Sequence, residues 1–377
     1  LRRRQASLQH HRVMKWPWLL GGLDALVVTS LANILYLTNF AGSTAIVVIT
    51  AERLFFLTDF RYLTTMSDMQ GTPFECPGLE VVTVAGSYDA TLAELLLSLK
   101  ASRVGFEAAH LSVARHQWLL ARIAEGNRPP ELVPTDAVVE TARVRKDSHE
   151  VGVLREGARR LSYVATEVFG GIRSGQTERD VAALIERRMR EAGFEKSAFD
   201  TIVAGGPNGA LPHARPGERK LTEGDLVVLD FGGVYDSYCV DLTRTVSVGP
   251  AQPRARQVYG AVLKAHDLAI AAVRPNVSRF AIDGAARESL GAAGMAEAFG
   301  HGTGHGLGIE IHEDPRIGRR RPDLDTQDDV VSPGMVFTIE PGAYFPGWGG
   351  VRIEDDVLVT ETGVEVLTNV TTELLEL

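Results

Sequence analysis

Short apolar runs bounded by turn residues alternate with helix-like spacing in the first third of the chain. Runs rich in Val, Ile, Leu and Phe are typical of strands, whereas apolar residues that recur every three or four positions are typical of amphipathic helices. The strand candidates are residues 25–29, 45–50, 54–57, 81–84 and 103–106, and the helix candidates are residues 88–99 and 112–124. This alternation predicts an α/β domain.

Helical spacing dominates the start of the second part. Apolar residues recur every three or four positions from Val151 to Val168, which predicts a helix. Thr177 and Asp180 resemble a capping pair and Gly193 a helix stop, so they bound a second helix. Further strand candidates are residues 201–204, 225–231, 240–246, 334–340 and 350–360, and further helices are expected at about 254–273 and 279–293. This order predicts two similar halves of an α+β domain.

Chain length supports a division into two domains. A chain of 377 residues is long for one ordinary compact domain. We therefore expect a smaller N-terminal α/β domain at residues 1–134, a linker at residues 135–147 and a C-terminal α+β domain at residues 148–377.

The charge balance argues against a nucleic-acid partner. Lys and Arg together number 39 and Asp and Glu 48, which gives a formal net charge of -9. Binding to phosphates requires a basic surface, so nucleic acid is not expected as the main partner.

Cysteine content and apolar run length indicate a cytoplasmic protein. Only Cys76 and Cys239 are present, which is too few for a disulfide framework. The longest apolar runs are far shorter than the roughly 20 residues of a membrane helix. Three arginines at positions 2–4 precede an apolar stretch around Trp16, but Pro17 and two glycines interrupt it, so we expect no signal peptide. Because the chain begins with Leu1, its true start is left open.

Two aspartates lie at facing ends of predicted strands. Asp230 ends the apolar run 226–229 and is followed by Phe-Gly-Gly, and Asp241 opens the returning strand. A strand, a glycine-containing turn and a returning strand would bring both carboxylates together across a hairpin. An ionised Asp beside apolar residues is costly unless it is paired or bound to a metal. The alternative is that each Asp only caps a turn.

Glycines surround a pair of histidines in the segment His-Gly-Thr-Gly-His-Gly-Leu-Gly. The pair is His301 and His305, and His312 follows seven residues later. Glycine lets the backbone approach a ligand closely. A single His is usually structural, but this glycine-rich setting favours a binding role.

Two glutamates stand among apolar strand residues. Glu340 follows Thr-Ile and precedes Pro-Gly, and Glu354 lies in Val-Arg-Ile-Glu-Asp. Glutamate is rarely buried without a partner. The alternative is an amphipathic strand with one wet face.

Together these motifs supply four carboxylates and one imidazole. Such a set suits divalent Mn, Co, Fe or Zn. Four negative ligands nearly neutralise two divalent ions, whereas a single ion would leave carboxylates that repel one another. Two such ions can share a water and lower its pKa towards roughly 7.

These motifs resemble metallopeptidase family M24, the pita-bread-fold family that includes methionine aminopeptidase, aminopeptidase P and prolidase. The order Asp, Asp, His, Glu, Glu matches, as do the contexts LDFGG, VDLTRT, HGTGHGLG, TIEPG and VRIED. The resemblance covers about residues 147–377. Residues 33–40 and 57–62 are similar to the N-terminal domain of the Xaa-Pro branch, which methionine aminopeptidases lack. Asn39 departs from the Gly usual in that branch, for which we expect only a local change of turn.

The resemblance implies the fold and the residue roles. The fold would be an α+β pita-bread (creatinase/aminopeptidase) C-terminal domain preceded by a smaller α/β creatinase-type N-terminal domain. Two divalent ions per chain are implied, with Mn expected first and Co, Zn or Fe as alternatives. Asp230 would bind one ion and His305 with Glu340 the other, Asp241 and Glu354 would bridge them, and Glu340 would also accept a proton. The residues implied on the substrate side are His213 and His312 at the scissile carbonyl, His301 at the proline pocket, and Tyr344 and Arg352 near the metals.

The implied activity is hydrolysis of the bond between an N-terminal residue and proline. The substrate would be a peptide with proline in second position, cleaved as by an aminopeptidase or as a dipeptide. Arg316 or the run of arginines at 319–321 could read a free carboxylate in the dipeptide case. We also expect a homodimer or higher homo-oligomer and no membrane association. The rivals are a metal-free amidinohydrolase like creatinase and an inactive binding protein of the same fold, but all five ligand positions are filled.

Overall fold

Two units of the chain form separate sets of contacts, residues 1–143 and residues 144–377. The computed structural model describes residues 20–72, 74–321 and 329–377. The stretch around Trp16, for which we predicted no signal peptide, therefore lies outside the described residues. None of the helices in these ranges is long and apolar enough to cross a bilayer.

The N-terminal unit is built on a six-stranded mixed sheet in the order β4-β3-β2-β1-β5-β6. β1 pairs antiparallel with β2 and parallel with β5. The strands are β1 Ala25–Val28, β2 Ile46–Thr50, β3 Leu54–Thr58, β4 Leu79–Thr83, β5 Arg103–Glu107 and β6 Glu131–Thr135, and the helices are α1 Leu31–Thr38, α2 Phe60–Met69, α3 Tyr88–Ser98, α4 Val113–Ile123 and α5 Val138–Arg143. The strands and helices predicted before residue 125 are confirmed within a few residues.

A helix occupies part of the segment that we predicted as a linker. The helix α5 lies within residues 135–147, and its last residue is tied to the N-terminal unit. Arg143 donates from Nη1 to Asn33 Oδ1 at 2.7 Å, and Asn33 donates to the buried Glu107 at 2.6 Å. These buried polar contacts make α5 part of this unit.

In residues 144–321 and 329–377, the C-terminal unit combines three sheets with two pairs of helices. Strands β7 to β10 form a four-stranded sheet, strands β11, β12, β13, β16 and β17 a five-stranded sheet, and β14 with β15 a hairpin. The strands are β7 Lys196–Ser197, β8 Ile202–Gly205, β9 Leu226–Tyr235, β10 Tyr238–Ser247, β11 Gly304–Gly306, β12 Glu313–Ile317, β13 Val336–Ile339, β14 Gly342–Phe345, β15 Gly349–Arg352, β16 Asp355–Val359 and β17 Val364–Val366. The helices are α6 Ser148–Phe169, α7 Glu178–Glu191, α8 Pro253–Ala272 and α9 Arg279–Ala292, with 3-10 turns at Gly206–Ala210 and Ala296–Ala298.

Each helix pair has its own apolar core. Leu154 and Ile185, from α6 and α7, pack in one cluster with Leu229 of β9. Val262 and Ile282, from α8 and α9, belong to a second cluster. The two clusters agree with the predicted pair of similar halves.

The hairpin of β9 and β10 turns at a different place from the one predicted. Its two-residue loop is Asp236 and Ser237, both with positive φ (45° and 71°), as a tight hairpin turn requires. Gly232 and Gly233 lie inside β9 instead. A Cβ on Gly232 would lie 2.5 Å from the carbonyl oxygen of Val240. These glycines therefore serve close packing rather than the turn.

Candidate metal centre

The register of the long hairpin places its two aspartates on one face. Asp230 of β9 lies opposite Thr243 of β10, and Asp241 lies two residues before Thr243. Because side chains alternate along a strand, all three point to the same face. Asp230 is 8% and Asp241 4% exposed. The predicted meeting of the two carboxylates across a hairpin thus holds, although the turn differs.

Glycines on either side of His305 let its strand pack tightly. A Cβ on Gly304 would overlap the carbonyl oxygen of Thr338, and one on Gly306 would overlap that of Asp314. The glycine pattern therefore brings β11 close to its neighbours, and His305 is 8% exposed between them.

The two glutamates follow strands that are buried along their whole length. Glu340 directly follows β13, whose four residues are all buried, and its N–H donates to the Thr303 carbonyl at 2.7 Å. Glu354 lies between β15 and β16, is 2% exposed and accepts a 2.5 Å hydrogen bond from Thr243 Oγ1. Strands buried on both faces exclude the amphipathic alternative.

The five side chains converge on one cavity of about 590 Å³. Ligand atoms of Asp241, His305 and Glu354 all lie within 4.8 Å of one another. Nε2 of His305 is 3.9 Å from Asp241 Oδ2 and 3.9 Å from Glu340 Oε1. Asp230 lines the same cavity. The site therefore gathers four carboxylates around one imidazole.

The ring of His305 is oriented as a metal ligand would be. Its Nδ1 lies 3.1 Å from the carbonyl oxygen of Gly306, which can only accept, so Nδ1 carries the proton. Burial, followed by the nearby His312, lowers the pKa of His305 to about 3, so the ring is neutral. The lone pair of Nε2 then faces the carboxylates of Asp241 and Glu340. When those carboxylates are ionised, a lone pair aimed at both of them is repelled unless a cation lies among them.

The electrostatics of the acidic groups also fit a cation. Burial and then repulsion from Asp230 raise the pKa of Asp241 well above its usual value. Burial and then repulsion from Asp241 raise the pKa of Glu354 well above its usual value. Burial raises the pKa of Glu340 to about 7. Oδ1 of Asp230 is buried and has no hydrogen-bond partner among the described residues. Divalent cations would keep this set ionised and supply the missing partner.

Three further histidines surround the cavity. His213 and His312 line it and are exposed, and the His312 ring centroid is 4.4 Å from that of His305. His301 also lines it and is half-buried, with Nδ1 at 2.7 Å from the Gly302 carbonyl oxygen. Its Nδ1 therefore donates, and Nε2 is left as an acceptor.

Tyr344 and Arg352 link His301 to a carboxylate. The Tyr344 hydroxyl lies 2.8 Å from His301 Nε2 and accepts from Arg352 Nη1 at 2.9 Å. Arg352 also donates from Nη2 to Asp230 Oδ2. Burial raises the pKa of Tyr344 to about 12, so its hydroxyl keeps a proton to donate to His301. The chain of contacts thus runs from Asp230 to His301.

Two residues of the site were not singled out from the sequence. Thr243 donates to Glu354, and Asp356 accepts from the backbone N–H of Asp241 at 3.0 Å while being fully buried. The signal for Thr243 was its place two residues after Asp241, which puts it on the same strand face. For Asp356 the sequence carries no comparable signal.

Only part of the arginine-rich segment reaches the cavity. Arg316 is among the lining residues, whereas the exposed arginines at 319–321 are not. Arg215 lines the cavity as well. We predicted that either Arg316 or the arginines at 319–321 could bind a substrate carboxylate. Of these candidates, Arg316 is the one that lines the cavity.

Two family models match the chain. The model of metallopeptidase family M24 matches residues 152–361, and that of the creatinase/prolidase N-terminal domain matches residues 21–145. These matches confirm the predicted resemblance and fold class: a creatinase-type N-terminal domain followed by an α+β pita-bread domain.

Individual relatives point the same way. The chain is 37% identical to the uncharacterized peptidase YqhT of Bacillus subtilis, over 94% of this chain and 96% of that protein. A solved Xaa-Pro dipeptidase from Bacillus anthracis aligns with a TM-score of 0.89 at 35% identity, covering 99% of this chain and all of the other. A solved X-Pro aminopeptidase from Thermotoga maritima aligns with a TM-score of 0.86 at 32% identity, covering 96% and 100%.

Proposed function

We propose, from the premise that this chain belongs to metallopeptidase family M24, that it hydrolyses the bond between an N-terminal residue and proline with two divalent metal ions. The observation that carries the proposal is the neutral ring of His305, whose Nε2 faces Asp241 and Glu340 at 3.9 Å each. Similar proteins named Xaa-Pro dipeptidase and X-Pro aminopeptidase support the substrate class.

The ligand assignment follows the family resemblance. Asp230 would hold one ion, His305 and Glu340 the other, and Asp241 and Glu354 both. The four carboxylates nearly balance the charge of two divalent ions. Mn is the first candidate, with Co, Zn and Fe as alternatives, since each accepts oxygen and imidazole ligands.

Bound metal ions would polarise the scissile carbonyl and lower the pKa of an attacking water. Glu340 is the proposed acceptor of the water proton on a carboxylate oxygen. Its side chain is 19% exposed, against 6% for Asp241 and 10% for His305, so it is the most open of these three to the cavity. Glu340 would then release the proton to the proline nitrogen, which becomes an amine as the bond breaks.

The exposed histidines would act on the substrate carbonyl. His213 and His312 line the cavity and can donate hydrogen bonds to its oxygen as negative charge develops there. His301, held by Tyr344, would line the proline pocket. Proline lacks an N–H and forms a tertiary amide, so its bond needs a pocket shaped for a ring rather than for a donor.

Arg316 favours the dipeptide as substrate. A free carboxylate directly after proline would place its charge in the cavity, where Arg316 can pair with it. A longer peptide has an amide at that point and gains nothing from the guanidinium. Substitution of Arg316 by Met should therefore lower kcat/KM for an Xaa-Pro dipeptide and leave an Xaa-Pro-Xaa tripeptide little changed.

Cellular location and assembly are proposed from the sequence. Cys76 and Cys239 are both buried and free, which agrees with a cytoplasmic location. We propose a homodimer or higher homo-oligomer, which light scattering after size-exclusion chromatography would test.

The decisive experiment compares an Xaa-Pro dipeptide with an Xaa-Pro-Xaa tripeptide. The purified protein is stripped with a chelator, and Mn, Co, Zn and Fe are added back singly. We expect activity to vanish on stripping and to return with Mn. Glu340→Ala should be nearly inactive, and full activity in that variant would exclude Glu340 as the proton acceptor.

The two rival functions predict different outcomes. An inactive binding protein would purify without stoichiometric metal and cleave neither peptide. A creatinase-like amidinohydrolase would hydrolyse creatine and keep its activity in the chelator. Neither rival explains five converging ligand residues.

A further inference from the structure

Three consecutive residues of β10 reach across to the short segment that carries Glu354: Thr243, Arg244 and Thr245. We propose that these residues, the 243–245 clamp, are positioning residues that set the separation of Asp241 and Glu354. The inference rests on the proposed function, because these two carboxylates are the ones assigned to both metal ions.

The backbone alone holds Glu354 weakly. Glu354 lies between β15, which pairs with β14, and β16, which pairs with β13 and β17. A single isolated bridge joins it to β10, with the Glu354 N–H donating to the Thr243 carbonyl at 3.0 Å. A single backbone bridge does not fix the distance between two strands of different sheets. Side-chain contacts must therefore supply the other links between Glu354 and β10.

Thr243 fixes the orientation of the Glu354 carboxylate. Its Oγ1 donates to Glu354 Oε2 at 2.5 Å and accepts from Arg352 Nε at 3.2 Å. The Thr243 side chain is fully buried, so no water competes for these bonds. Asp241 lies on the same strand face two residues earlier. The Thr243 hydroxyl therefore ties the Glu354 carboxylate to the strand that carries Asp241.

Arg244 joins the backbones on the opposite face of the strand. A guanidinium has five N–H donors, and each of those of Arg244 has an acceptor. The acceptors are the carbonyl oxygens of Thr243, Glu354, Val370 and Thr371 and Oδ1 of Asp355, at 2.6–3.0 Å. Arg244 is 2% exposed, and a charge so deeply buried is tolerated only with such complete pairing. It thus adds a second link between Thr243 and Glu354 beside the single backbone bridge.

Thr245 completes the clamp at Arg352. Its Oγ1 accepts from the Arg352 N–H at 3.0 Å and donates to the Arg352 carbonyl at 2.9 Å. Thr245 is 1% exposed. One side chain therefore satisfies both backbone groups of Arg352, as a neighbouring strand would.

Thr243, Arg244 and Thr245 each bond to the segment 352–354, and Asp356 adds one further link from β16 to the Asp241 N–H. If the segment 352–354 shifts, Glu354 moves relative to Asp241 while the hairpin itself stays intact. The predicted loss is therefore in metal binding rather than in folding. Substitutions of residues that orient metal ligands typically cost 10–100-fold in metal affinity.

The test is calorimetric titration of the stripped full-length protein with Mn²⁺. Thr243→Val keeps the side-chain shape and removes the hydroxyl. It should raise the Kd of the more weakly bound Mn²⁺ ion by about 10–100-fold. Thr243→Ser restores the hydroxyl and should bind nearly as the wild type does. Ser247→Ala is the matched control: it lies on the same strand face, is fully buried, and its Oγ has no partner among the described residues.

Each outcome decides the proposal. If Thr243→Val does not fold, as judged by circular dichroism, Thr245→Val tests the same claim and should also raise the Kd for Mn²⁺. Wild-type affinity in a folded Thr→Val variant, or an equal loss in Ser247→Ala, would overturn the clamp. A wild-type protein that takes up none of Mn²⁺, Co²⁺, Zn²⁺ and Fe²⁺ would instead overturn the proposed function.

Discussion

A buried ion pair between Lys146 and Glu313 lies directly after His312, and removing one partner should affect stability differently from removing both. Lys146 Nζ lies 3.2 Å from Glu313 Oε2, with side-chain exposures of 1% and 7%. Glu313 also accepts from the Glu310 N–H at 3.0 Å, which closes the short turn that carries His312. Removing one partner of a buried pair costs about 3–5 kcal/mol, whereas replacing both is often nearly neutral.

We therefore predict that Lys146→Met and Glu313→Gln each lower the melting temperature strongly and that the double variant recovers most of the loss. For a domain of this size, 1 kcal/mol corresponds to roughly 2–4 °C, so each single change should cost about 6–20 °C. Differential scanning calorimetry at equal protein and Mn²⁺ concentrations measures this.

The control is an exposed ion pair, Arg179 with Glu218, whose side chains are 66% and 73% exposed. Exposed pairs contribute about 0–1 kcal/mol, so Arg179→Met should shift the melting temperature by only about 0–4 °C. If the double variant Lys146→Met/Glu313→Gln lost as much as the two single losses added together, the pair would not be coupled and the reasoning would be refuted.

Three further predictions concern the C-terminal unit. Arg352→Met removes the guanidinium from Asp230 and should lower metal affinity or activity by about 10–100-fold, measured by Mn²⁺ titration and steady-state kinetics. Burial alone would raise the pKa of Asp225, but the hydrogen bonds from Arg219 and Thr222 together outweigh it and hold that pKa below its usual value of about 3.9. The stabilisation is therefore present above about pH 4 and is lost as the pH falls through the lowered pKa; the stability gap between wild type and Asp225→Asn should shrink on acidification in urea denaturation. Gly304→Ala places a methyl group on a backbone carbonyl oxygen and should destabilise the protein by at least about 1–3 kcal/mol, seen in thermal unfolding.

The periodicity of apolar residues predicted most helices and strands, but it predicted less well where an element begins or ends at polar residues. The helix expected from Val151 starts at Ser148, because Asp147 and Glu150 form a capping box that has no apolar pattern. The strand expected at 350–360 is two strands, divided at Glu354. An apolar run shows that a segment is buried, but it does not show where the chain changes sheets.

The acidic residues that converge on the cavity could be predicted from the sequence because each stands in an apolar context that would otherwise exclude it. Thr243 was not, because threonine is an ordinary strand former, and its partner Glu354 lies 111 positions further along the chain. Gly232 was misread as a turn residue for a related reason: the contact that requires glycine is with Val240 on the partner strand. The role of a residue whose partner is distant in the sequence can be identified only from the three-dimensional structure.

The most direct test of the central claim is an anomalous difference map from crystals of the full-length protein grown with Mn²⁺. We predict two peaks per chain about 3.5–4 Å apart, one beside Asp230 and one beside His305 and Glu340, with Asp241 and Glu354 between them. A single peak, or none at these carboxylates, in a preparation that hydrolyses an Xaa-Pro dipeptide would contradict the account.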